Sequence, residues 1–191
     1  MLNPKLFQQI KKDFVFYSEE RRGVIVKSSE ALMKSKQAIF AFHRDDQGGG
    51  EALLKEVEMI FSELEKKFKK EEELRDEGSY RAALEEYVEA KFFGRVLKGE
   101  KIDFIKEVFV DTDSYLAGLC DLTGELTRKA VLFATERKFN EVERMAKGVR
   151  LVMAELIKFN LTGYLRTKYD QAKHNLRRVE EVLYDVKMRE K

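Results

Sequence analysis

The sequence predicts an all-helical protein, a bundle of six or seven helices forming one domain over residues 1–191, and three observations predict it. The one proline of the 191 residues stands at position 4, so nothing rigid interrupts the chain after its start. Helix-breaking residues fall in compact groups: Gly48-Gly49-Gly50, Gly78-Ser79, Gly99 with the later Asp111-Thr112-Asp113, and Thr162-Gly163. The composition, 38% charged against 43% hydrophobic and without tryptophan, is that of long helices with solvated outer faces.

In chain order, helices are expected over 4–45, with Gly23 the place for an interruption, then over 51–77 and 79–98, a short one near 102–107, then 113–136, 138–160 and 164–189. The triple glycine reads as a flexible connector between the first two. The run from Lys66-Lys67 to Glu71-Glu72-Glu73 reads as a solvated face with i,i+4 pairing. The last helix has the clearest period: Leu165, Tyr169, Ala172, Leu176, Val179, Leu183 and Val186 alternate four and three apart, a heptad seam that must meet another helix, in this chain or in a second subunit.

Lys plus Arg total 37 against 35 Asp plus Glu, a formal charge of +2, so no whole-molecule field draws in a polyanion and any such site is local. A single cysteine, Cys120, excludes an intrachain disulfide framework and fits a reducing compartment. No segment approaches the ~20 uninterrupted apolar residues of a membrane span, and the N-terminus lacks a leader pattern. A cytoplasmic protein with no membrane partner is the expectation.

Two apolar helices carry acids where apolar residues belong. Among Leu84, Tyr87, Val88, Phe92 and Phe93 stand Glu86 and Glu89, three apart; among Leu116, Leu119, Leu122 and Leu126 stand Asp121 and Glu125, four apart. Either spacing puts both carboxylates of a pair on one helix face. Burying an unpaired carboxylate costs several kcal/mol or forces it to take a proton. A shared metal would satisfy all four; pairing of Asp121 with Arg128 or Lys129, and of Glu89 with Lys91 or Arg95, is the open alternative. Gly118 and Gly124 flank Asp121 inside a helix, where glycine is tolerated if a neighbouring helix or a substrate comes close.

All-oxygen ligands favour Mg²⁺ or Mn²⁺ over zinc. The two histidines, His43 and His174, lie far from the acids in sequence, and the Glu-x-x-His motif of a di-iron bundle is absent. Cys120 reads as a buried, inert thiol, and His43 as a helix-end residue against terminal carbonyls. Phe92 and Phe93 read as core, with base stacking the alternative.

At the acids the sequence resembles the translin/TRAX family. Glu85-Glu86-Tyr87-Val88-Glu89-Ala90 and Tyr115-Leu116-Ala117-Gly118-Leu119-Cys120-Asp121-Leu122-Thr123-Gly124-Glu125-Leu126 resemble the two acidic helices of TRAX, and Lys34-Ser35-Lys36-Gln37-Ala38-Ile39-Phe40-Ala41-Phe42-His43-Arg44 is similar to its first helix. The last helix resembles translin as closely as TRAX, so the chain is similar to a single-gene ancestor type. The chain is shorter than the eukaryotic members, without an evident nuclear-import segment or a long insertion between the acidic helices.

The resemblance implies a seven-helix subunit that assembles with copies of itself into a hollow shell, an octamer. It also implies a metal-dependent endoribonuclease on single-stranded RNA, with Glu86, Glu89, Asp121 and Glu125 as metal-holding and catalytic residues and Mg²⁺, or Mn²⁺, as cofactor. Cations must then compensate for the acids beside a phosphate. Arg128, one turn beyond Glu125, is the first candidate for contact with RNA, followed by Lys36, Arg44 and His43 on the first helix. A non-catalytic shell binding single-stranded RNA or DNA is the second expectation, and an all-helical nucleotide pyrophosphatase the third.

Overall fold

The computed structural model describes residues 2–189, and among them there is no strand. Six α-helices follow one another: α1 Pro4–His43, α2 Gln47–Phe68, α3 Gly78–Leu97, α4 Thr112–Thr135, α5 Phe139–Leu156 and α6 Gly163–Arg189, with a 3-10 turn at Glu72–Asp76 before α3. The all-helical expectation holds, with six α-helices in place of seven. α1, α2 and α3 pack together, α4, α5 and α6 pack together, and α3 lies against α4 to join the two groups.

α1 runs through Gly23 without a break. At 1.5 Å per residue its 40 residues span about 60 Å. Its second half buries Val24, Ser28, Ala31, Ser35, Ala38 and Phe42, spaced four and three apart and mostly small, which lets α2 and α3 lie close. Every residue from 2 to 17 is exposed, Phe7, Ile10 and Phe14 among them.

The triple glycine is not a connector: it forms the first turn of α2, where the Asp46 side chain caps the Gly49 N–H at 2.9 Å. Its third member has a packing reason. A Cβ on Gly50 would stand 2.2 Å from the Phe42 ring and one on Gly94 2.8 Å from it, so the two glycines form the slot that receives Phe42. α2 stops at Phe68, short of the expected 77, because the chain tightens into the 3-10 turn around buried Leu74.

Residues 102–107 form no helix. Six residues are too few to offset the nucleation cost of a helix without tertiary support. The segment is instead pinned by buried Ile105 and Val108, with the Ile105 N–H donated to the Tyr115 hydroxyl at 2.9 Å. The heptad seam of α6 finds its partner inside the chain: Ala172, Val179, Leu183 and Val186 are buried against α4 and α5. No described helix is long and apolar enough to cross a membrane.

Candidate carboxylate centre

The acids converge where the two groups of helices meet. α4 is launched by Asp111, whose carboxylate accepts from the Ser114 N–H (2.9 Å) and hydroxyl (2.7 Å), fixing the register that turns Asp121 and Glu125 toward α3. At Gly118 the helices come close: a Cβ there would lie 2.6 Å from Val88 Cγ1 and 3.0 Å from the Glu85 carbonyl oxygen. The neighbour that requires this glycine is therefore α3, and the close approach carries Glu85, Glu86 and Glu89 up to Asp121. Gly124 faces α6 instead, where Asn175 Nδ2 donates to Thr123 Oγ1 at 3.0 Å.

Three of the four acids have partners, each from another helix. Glu86 accepts from Lys36 of α1 at 2.9 Å. Asp121 is paired with Lys168 of α6, which also reaches Glu85 at 3.0 Å, and the Tyr164 hydroxyl donates to Glu85 at 2.7 Å. Glu125 meets the His43 ring, with Arg128 3.6 Å away. The alternative pairings open in the sequence are not adopted. Lys129 caps the end of α1, Lys91 pairs with Glu58 (2.6 Å) and Glu107 (3.0 Å), and Arg95 donates to the Asp103 carbonyl at 2.5 Å.

Glu89 is the exception. It is 7% exposed, and among the described residues no hydrogen bond or ion pair reaches its carboxylate. Burial, reinforced by the charges of Glu86, Asp121 and Glu125, pushes its carboxyl up to about 9 against the opposing pull of Lys168. Burial also lifts Asp121 above the ordinary carboxylate range even though Lys168 hydrogen-bonds to it. The interaction of Glu89 with all three other acids means that the four carboxylates share one electrostatic site.

The donor set fits a hard divalent cation: oxygens only, four acids in one site, and one buried carboxyl group with no ion-pair partner among the described residues. The side chains are not drawn into a ligand cage, and among the described residues no three His, Cys, Asp or Glu stand ready to hold a metal. Glu86, Asp121 and Glu125 meet Lys36, Lys168 and His43 through one carboxylate oxygen each, and among the described residues the other oxygen of each has no partner.

Of the basic residues singled out in the sequence, Lys36, His43 and Arg128 join the cluster. Arg44 does not: it lies exposed at the end of α1 beside Gln37 and Asp46, and no described acid pairs with it. His43 is the last residue of α1, as expected, but its ring does not rest on the terminal carbonyls. Its ring is buried, 4.8 Å from the Phe93 ring, and Lys129 takes the carbonyls in its place. Phe92 and Phe93 are buried and closed to any base, whereas Phe40 is exposed, with the Arg128 guanidinium 5.1 Å over its ring. Cys120 is buried and pushed up to about 12, chiefly by that burial, so it is no nucleophile.

Sequence reasoning does not find Lys168, Glu85 and Tyr164, and it gives Lys129 the wrong partner. Lys168 and Tyr164 lie on a helix whose pattern shows an apolar seam, and Glu85 stands one residue off the stripe of Glu86 and Glu89.

A family model described as the Translin family matches residues 20–190. The chain is 27% identical over 203 residues to the translin-associated protein X homolog of Schizosaccharomyces pombe, covering 94% of this chain and 86% of that one. Over 92 residues it is 29% identical to translin of Gallus gallus, covering 48% of this chain and 40% of that one. Its fold matches the crystal structure of apo-NeC3PO with a TM-score of 0.85 at 21% identity, over 97% of this chain and 99% of that chain. It also matches the AfC3PO–duplex RNA complex with a TM-score of 0.84 at 22% identity, over 95% and 96% of the two chains.

Proposed function

The chain belongs to the Translin family, and from that premise we propose that it is one subunit of a hollow homo-oligomeric shell that cuts single-stranded RNA at a divalent-metal centre formed by Glu86, Glu89, Asp121 and Glu125. The observation that carries this reading is Glu89, buried among three further acids with no cation of its own. A purely structural cluster would pair it or replace it with an apolar side chain.

Glu86, Glu89, Asp121 and Glu125 would hold Mg²⁺ or Mn²⁺, which would supply Lewis acidity for hydrolysis of a phosphodiester. The chain's own groups do the rest. Lys36, Lys168 and Arg128 surround the acids with positive charge that a phosphodiester needs before it can approach four carboxylates. His43, fixed by its buried position against Phe93, holds Glu125 in one orientation. Phe40 and Arg128, exposed together at the rim, offer a face on which an unpaired base can stack. The exposed Phe7, Ile10 and Phe14 of α1 form an apolar surface of the kind that subunits cover in one another, and support the shell.

The test is cleavage of a labelled single-stranded RNA by the wild type and by Asp121→Asn in Mg²⁺, Mn²⁺ and EDTA. Metal-dependent cutting in the wild type, absent from Asp121→Asn and in EDTA, is the expected result; equal cutting in both proteins or in EDTA would overturn it. A second reading, a shell that binds single-stranded RNA or DNA without cutting, is favoured by the pairing of Glu86, Asp121 and Glu125 with residues of the chain itself. Salt-sensitive binding in EDTA with no cutting in either metal would select it.

A further inference from the structure

The carboxylate centre carries its own cations, and besides Arg128 of α4 they are two lysines supplied by helices other than those that bear the acids. Lys36 Nζ stands 2.9 Å from Glu86, and Lys168 pairs with Asp121 while remaining 3.0 Å from Glu85. Both stand on acids placed in the metal centre, and an ammonium and a metal ion cannot occupy the same lone pairs of one carboxylate. A permanent structural clamp on a carboxylate is better made by arginine, whose planar fork binds both oxygens; lysine is a point charge on a flexible stem that can be withdrawn. Lys36 is half exposed, free to turn into solvent, and Lys168 has Glu85 as a second acceptor one helix position from the centre.

Resting on the metal-dependent reading above, we propose that Lys36 and Lys168 are displaceable counter-ions of the carboxylate centre. They neutralise Glu86 and Asp121 in the metal-free protein, yield those carboxylates to the divalent cation, and are thereby turned to the phosphates of the nucleic acid. Metal and lysine compete for the charge of the same carboxylates, so the two lysines weaken metal binding while strengthening the hold on RNA. A fixed salt bridge gives the opposite sign, because its loss loosens the cluster and weakens metal binding.

The experiment is calorimetric titration of Mn²⁺ into the RNA-free protein, full chain in its native assembly, for the wild type, Lys36→Gln, Lys168→Gln and Lys168→Arg, with helix content checked by circular dichroism. Each Gln variant should bind Mn²⁺ roughly tenfold more tightly than the wild type, and Lys168→Arg within about twofold of it. Should Lys168→Gln fail to fold, Lys36→Gln, at a half-exposed position, decides the sign alone.

Affinity unchanged or weakened in the Gln variants, with the wild type binding metal, overturns this inference and leaves the metal centre standing. No Mn²⁺ binding to any protein overturns both. In Ca²⁺, binding of a labelled single-stranded RNA by either Gln variant should weaken, with a log–log salt slope shallower by about 0.7 for each lost phosphate contact; an unchanged slope overturns the transfer of the lysines to phosphate.

Discussion

Lys129 of α4 donates its ammonium to the main-chain carbonyl of His43, 3.0 Å away, and to the Asp45 carboxylate at 2.7 Å. The lysine is 2% exposed, and its charge lies against the negative end of the helix it caps. Asp45 reaches it from a left-handed backbone at φ 61°, a conformation that disfavours any side chain and is held by the turn that closes α1. Lys129→Met would keep the apolar stem and leave the buried His43 carbonyl without its donor, while the exposed Asp45 carboxylate turns to water. The expected loss is about 1–3 kcal/mol in urea denaturation, with His43 released from Glu125.

Glu89 makes the stability of the metal-free protein depend on pH. Held up to about 9 in the folded chain and near ~4.3 when unfolded, it stays protonated in the native state while the unfolded chain ionises. Its favourable contribution is complete below about pH 4 and is lost as pH rises towards 9. Glu89→Gln should therefore stabilise the metal-free protein by roughly 2–4 kcal/mol at pH 8 and by almost nothing at pH 4. Thermal melts in EDTA at the two pH values check it; a gain of equal size at both would remove the titration from the account.

Gly118→Ala places a methyl group against Val88. Overpacking of this kind costs about 1–3 kcal/mol, and the remedy is local: Val88→Ala in the same chain should return part of the loss, because the two sites are in contact. Denaturation of the two single variants and the double variant measures the coupling. Additive losses would show that α3 and α4 do not meet there.

Assembly is tested at the free end of α1. In solution the wild type should have a mass that is a multiple of 22.4 kDa, and Phe14→Glu combined with Ile10→Glu should reduce it without loss of helix content. A monomeric wild type would contradict the shell.

How much of this was legible in the sequence depends on the range of the forces involved. The acidic pairs Glu86/Glu89 and Asp121/Glu125 could be read because their spacing is a property of one helix. The seam of α6 could be read for the same reason, although its partner could not. The pairing of Lys168 with Asp121 spans 47 positions and that of Lys36 with Glu86 spans 50, and no local pattern encodes them. The triple glycine misled because glycine signals a break when its neighbours are unknown; here the Phe42 ring requires the absence of a side chain at Gly50. The short helix near 102–107 was overread from local propensity, which Ile105 and Val108 override by taking places in the core.

Glu86 and Glu89 ride on one group of helices, Asp121 and Glu125 on the other, and the groups join where α3 crosses α4 at Gly118. The distance between the two acid pairs is thus set by one seat for a missing side chain, so a change at Gly118 shifts one pair against the other while every helix stays intact.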